Sequence, residues 1–138
     1  MKVVFDTNVV ISAAWRGEAF VCLVRMARRL VTPYASQSVL AEFDATAKRL
    51  DGRKSFKDTK NPWPIFHWYA DTVTIIEPAA LGKQRIRGLK EDMFIACALA
   101  ADARLLVTYD RDLLDLEKPF GVQIIKPADF LRRTRMNE

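Results

Sequence analysis

Five acidic side chains carry most of the chemistry open to this sequence: Asp6, Glu42, Asp92, Asp110 and Asp112. Asp6 closes the apolar run Val3-Val4-Phe5, and Asp110 and Asp112 follow a similar run, Leu105-Leu106-Val107. Asp92 opens an almost wholly apolar stretch just upstream of that second run, and Glu42 lies in the first turns of a helical segment. Carboxylates gathered at one place repel one another unless a cation sits between them. Oxygen donors without His or Cys select a hard ion, Mg²⁺ or Mn²⁺. Such an ion can activate a water and stabilise charge on a phosphodiester, and two ions can hold both the attacking and the leaving oxygen. The carboxylate count allows one ion or two. Each acid also has a plain structural use. Asp6, followed by Thr7-Asn8, can cap a helix, and Asp92 is favoured by a helix dipole. Asp110 and Asp112 suit a turn, and Glu42 is an ordinary helix residue. The functional reading rests on acids from separate segments meeting at one place.

The elements that must bring them together follow from periodicity. The run 2–5 is a strand buried on both faces. Val10, Ala13 and Ala14, then Phe20, Leu23, Val24, Ala27 and Leu30, predict two helices divided at Gly17. Residues 30–34 form a short second strand weakened by Pro33. Ser36 or Ser38 caps a helix to about Leu50, with Val39, Leu40, Phe43 and Ala47 on its apolar face. The polar, lysine-rich stretch 51–61 reads as a loop. Pro62 and Pro64 open an aromatic helix, and 72–76 is a third strand. After a loop at 81–89, a helix buried nearly all round runs from Asp92 to Ala103. Residues 104–108 and 122–125 are the last strands, and Pro127 starts a C-terminal helix with a basic tail. Alternating strands and helices imply parallel pairing, and so an α/β fold: a three-layer α/β/α sandwich around a mainly parallel five-stranded sheet. In such sheets functional groups converge beyond the carboxyl ends of the strands, where strand order reverses. Asp6 and Asp110 reach that edge directly, and Asp92 reaches it if its helix begins there.

A length of 138 residues, half of them hydrophobic, suits one domain spanning 1–138, with a core at about 2–131. The net charge of +5 is a modest basic excess. No membrane span is evident, the first residues lack a signal-peptide pattern, and a cytoplasmic location is expected. Cys22 and Cys97 lie in apolar helical segments without metal-like spacing and read as core residues.

Four segments, in order, resemble the PIN-domain nucleases (PilT N-terminal), in particular the VapC-like toxin branch of bacterial toxin–antitoxin systems. Val3-Val4-Phe5-Asp6-Thr7-Asn8-Val9 is similar to the first-strand motif, and Ser38-Val39-Leu40-Ala41-Glu42-Phe43 to the segment with the helical Glu. Glu91-Asp92-Met93-Phe94-Ile95-Ala96-Cys97-Ala98 resembles the third acidic segment, and the stretch from Leu106 through Thr108, Asp110 and Asp112 to Leu114 the closing motif. The resemblance implies that Asp6, Glu42, Asp92 and Asp110 are catalytic and that Asp6, Asp92 and Asp110 bind the metal, with Asp112 as a further ligand. It also implies that Asn8 and Thr108 position the carboxylates or the substrate. Many relatives carry another acid two or three residues before the third-segment Asp. Leu89 and Lys90 stand there, with only Glu91 adjoining, which puts a second ion in doubt.

Of the 17 acids, five belong to the candidate site, so 22 bases face the remaining 12. An acidic centre with basic flanks suits a metal nuclease acting on RNA. The bases concentrate at Lys48, Arg49, Arg53, Lys54, Lys57 and Lys60, then at Lys83, Arg85, Arg87 and Lys90. Arg85 and Arg87, just before Asp92, are candidates for touching substrate phosphates. Trp63, Phe66, Trp68 and Tyr69 suit a core or interface better than base stacking, and the resemblance implies a homodimer. His67, the lone histidine, reads as structural or exposed, and Trp15 as packing or lining the site entrance. The leading reading is an Mg²⁺- or Mn²⁺-dependent endoribonuclease toxin held by a small antitoxin. The alternatives are a housekeeping PIN nuclease without antitoxin, a non-catalytic RNA-binding PIN scaffold, and a receiver-like signalling domain. A receiver needs an acceptor Asp ending a middle strand and a Lys after the last. Lys126 imitates the second, but no internal strand is expected to offer the first.

Overall fold

The computed structural model describes residues 1–51, 63–79 and 89–135. The expected basic loop at 51–61 lies almost wholly outside the described residues, and so do Arg85 and Arg87. The β-branched and apolar runs form a five-stranded, all-parallel sheet of β1 (Lys2–Phe5), β2 (Thr32–Ala35), β3 (Thr74–Ile75), β4 (Leu105–Val107) and β5 (Gln123–Ile125). The spatial order is β3-β2-β1-β4-β5. β1 is therefore the middle strand, pairing Val3 with both Pro33 and Leu105 and Phe5 with Val107. The chain first works outward from β1 through β2 to β3, then crosses back to β4 on the other side. The reversal point lies between β1 and β4, the strands that end at Asp6 and just before Thr108.

Helices cover both faces. α1 (Thr7–Ser12) runs into a 3-10 turn (Ala13–Trp15), and α2 (Gly17–Ala27) follows. The break at Gly17 is as expected, because Arg16 and Gly17 have φ of 67° and 74°, a left-handed conformation that glycine adopts without strain. α3 (Gln37–Asp51) starts at Ser36, whose Oγ accepts the Val39 amide at 3.2 Å. α4 (Trp63–Thr72), α5 (Leu89–Ala101), α6 (Arg111–Leu114) and α7 (Pro127–Arg133) complete the set. α5 packs on β1, β2 and β4, and α2 packs against α7. Phe5 joins the sheet to α4 and α7, with its ring edge-on to Tyr69 at 6.4 Å and to Phe130 at 5.4 Å. Cys22 and Cys97 are free and buried, and burial pushes their thiols up to about 12 and about 11. No helix among the described residues is long and apolar enough to cross a membrane.

The differences from expectation include three with a clear local cause. The third strand is only Thr74–Ile75, because Thr72 stays helical with its hydroxyl donating to the Trp68 carbonyl at 2.6 Å. α5 begins at Leu89, so Asp92 sits inside its first turn and does not open the helix. α6 was not foreseen. Its four residues are too few to show a period, and its start is set by Asp110, which accepts the Asp112 amide.

Candidate active site

Asp6 stands where β1 turns into α1, at the N-cap position, yet its side chain makes no capping hydrogen bond. It is 3% exposed, and its Oδ2 accepts the Thr108 hydroxyl at 2.6 Å, a short, charge-assisted bond. The same Thr108 oxygen accepts the Asp110 amide at 2.8 Å. Thr108 is itself fixed by its amide, which donates to the Ile125 carbonyl at 3.0 Å, while the Asp6 amide donates to Val107 at 2.9 Å. One hydroxyl thus ties the ends of β1 and β4 together and sets Asp110 beside Asp6. Asp110 also caps α6 by accepting the Asp112 amide on Oδ1 at 2.9 Å. Its structural use is real and does not exclude the other.

Asp6, Thr7, Asn8, Glu42 and Asp110 line one cleft, floored by Phe94 and Leu113, with about 30 Å³ of space. That volume admits an ion or a water or two, and not a nucleoside. Glu42 reaches it from α3, where Thr46 donates to its Oε1 at 3.2 Å and Arg49 donates in turn to the Thr46 hydroxyl at 3.3 Å. Spacings of four and three place all three residues on one helix face. Burial raises the Asp6 carboxyl above the usual carboxylate value, and the negative charge of Asp110 adds to this. The Thr108 hydroxyl and the amides of Thr7 and Asn8 oppose it. An acid kept in so unfavourable a setting fits a cation-binding role.

The sequence-derived residues are therefore gathered unevenly. Asp6, Asn8, Glu42 and Asp110 share the cleft, with Thr108 directly behind it. Asp92 is buried at 6% exposure but does not line the cleft, and Asp112 is exposed beside it. Thr46 was missed, because nothing distinguishes a helical threonine until its partner is known. Thr7 was also passed over. Its hydroxyl is buried without a hydrogen-bond partner among the described residues. His67 is exposed and stacks on Trp63 at 5.9 Å, as expected of a structural residue. Among the described residues no three His, Cys, Asp or Glu side chains stand close enough to hold one ion by themselves. Among the described residues the cleft offers at most two direct carboxylate contacts to one ion, which leaves the remaining coordination to water, the habit of Mg²⁺. The donor set, all oxygen, fits a hard divalent ion.

A family model described as the PIN domain matches residues 2–112. The chain belongs to the PIN-domain family. PIN domains are generally nucleases, and generally depend on divalent metal. No curated protein matches the sequence. Two of the solved structures with a similar fold illustrate the likeness. One is VapBC2 from Rickettsia felis bound to a DNA fragment from its promoter. It has a TM-score of 0.63 and 18% identity, and the match covers 91% of this chain and 98% of that one. The other is PAE2754 from Pyrobaculum aerophilum, with a TM-score of 0.67, 15% identity, and 97% and 89% of the two chains covered. The receiver alternative needs one correction. β1 is the middle strand and Asp6 ends it, so the absence of a middle-strand Asp does not count against a receiver. Membership of the PIN family decides the matter instead.

Proposed function

We propose that this PIN domain is a divalent-metal-dependent endoribonuclease and the toxin of a toxin–antitoxin pair. The observation that carries the catalytic part is the Asp6–Thr108–Asp110 chain of hydrogen bonds, which sets two carboxylates side by side in the cleft that Glu42 also lines. Asp6 and Asp110 would hold Mg²⁺ or Mn²⁺ directly, with Glu42, Asp92 and Asp112 acting on its outer waters. When bound, the ion supplies an activated water and neutralises charge on the phosphodiester. Thr108 holds Asp6 in place, and Thr46 does the same for Glu42. The basic excess outside the site supports RNA as the polyanion, with Arg85 and Arg87 on its phosphates. The toxin assignment is supported by the VapC-like sequence pattern and by a structural neighbour solved as a VapBC2 complex. By the same resemblance the protein works as a homodimer bound by a small antitoxin.

The deciding experiment is cleavage of single-stranded RNA by the native chain, by the chain in excess EDTA, and by Asp6→Asn. Cleavage should need the metal and vanish in the variant. Metal-independent cutting, or full activity of Asp6→Asn, would sink the mechanism. A second reading, a non-catalytic RNA-binding scaffold, is favoured by the lack of three described acids placed to share one ion. RNA binding without cutting, in Mg²⁺ or in Mn²⁺, would establish it. Co-purification with the product of a short neighbouring reading frame would test the antitoxin.

A further inference from the structure

We propose that Tyr109 is the platform on which the nucleobase next to the scissile phosphate stacks. This rests on the nuclease reading above and adds to it where the base, as opposed to the phosphate, is held. The cleft is small and lined by carboxylates, so a base beside a phosphate held there would rest on its rim. At the end of β4 the chain passes from the fully buried Thr108 to Tyr109, which is 40% exposed, and then to Asp110 in the cleft. Both neighbours of the ring are therefore site residues, and adjacent Cα atoms lie only about 3.8 Å apart. The other large aromatics exposed among the described residues are placed differently. Trp15 ends the 3-10 turn after α1, Trp68 lies in an apolar groove between α2 and α4, and Phe120 precedes β5 at the opposite end of the sheet.

The ring is also held in place. Its hydroxyl donates to Glu18 Oε1 on α2 at 3.1 Å, across 91 positions of the chain. Anchoring at the phenol edge restrains the side chain, while the residue stays 40% exposed. A fixed aromatic surface beside a phosphate site suits an unpaired base of any identity, since every base has a π-face. Tyrosine supplies that contact at a low cost in conformational entropy.

The test uses the Asp6→Asn chain in Mg²⁺ and a set of eight-nucleotide single-stranded RNAs with 2-aminopurine at each position in turn. Fluorescence should be quenched at one or two adjacent positions, and Tyr109→Phe should keep that quench. Tyr109→Ala should abolish it and weaken binding about five- to tenfold. An abasic nucleotide at the quenched position should erase the difference between the parent and Tyr109→Ala. If Tyr109→Ala binds and quenches like its parent, the platform is refuted. It is equally refuted if the variant merely lowers Tm while the abasic penalty stays the same. Quenching by a chain whose native form cuts no RNA would leave the platform standing and remove the nuclease reading. Absence of RNA binding by the native chain as well as by Asp6→Asn would overturn both.

Discussion

An acid whose pKa is raised by folding binds its proton more tightly in the native state than in the unfolded chain. For Asp6 this means that the metal-free protein loses stability as pH rises from the ordinary carboxylate range through the raised value, and stays less stable above it. Asp6→Asn keeps the shape and removes the charge. The metal-free variant should therefore melt higher than the parent at pH 7–8, with the gain shrinking towards pH 4, as calorimetry at several pH values would show. A fall in Tm at pH 8 would contradict the electrostatic account. Thr108 behaves differently, because its fully buried hydroxyl both donates to Asp6 and accepts from Asp110. Thr108→Val strands both partners and should cost about 1–3 kcal/mol in urea unfolding. Thr108→Ser should recover most of that loss, and RNA cleavage should follow the same order.

At the scale of elements, α3 aims Glu42 through a relay along one face, from Arg49 to Thr46 to Glu42. Valine nearly matches threonine in shape, so Thr46→Val should change stability by less than about 1 kcal/mol. It should nonetheless reduce cleavage several-fold, because Glu42 loses the hydrogen bond from Thr46. Equal losses in stability and rate would mean that the relay serves packing alone. The entry to α2 makes a separate prediction. A Cβ on Gly17 would meet nothing within 4 Å, but its φ is +74°, so Gly17→Ala should cost about 1 kcal/mol through backbone strain without a clash. The apolar runs of β1 and α5 and the amphipathic periods of α2 and α3 were legible in the sequence. The four-residue α6 was not, because its start depends on the Asp110 side chain accepting a backbone amide. The start of α5 was misjudged by one turn, since Leu89, Lys90 and Glu91 give no signal that separates a loop end from a first helical turn.

For the whole molecule, a cation that binds only the folded chain stabilises it by mass action, by about 2.7 kcal/mol at a hundredfold excess over Kd. Mn²⁺ or Mg²⁺ should raise Tm at pH 7–8, much less at pH 4, and not at all in Asp6→Asn. A pH-independent shift shared by the variant would place the ion elsewhere. Residue types and their order along the chain were enough to indicate an α/β sheet, a hard-ion chemistry and the acids that serve it, because strand and helix periods are local and carboxylates without His or Cys have few uses in concert. Which acids meet is not a local property. Only the strand order, with β1 between β2 and β4, brings Asp6 beside Thr108 and Asp110 at the reversal point. Only the packing of α3 over that edge adds Glu42, while Asp92 and Asp112 stay off the cleft wall. Those contacts join residues up to 102 positions apart, and so depend on how the whole sheet closes rather than on any pattern a short stretch of sequence can carry.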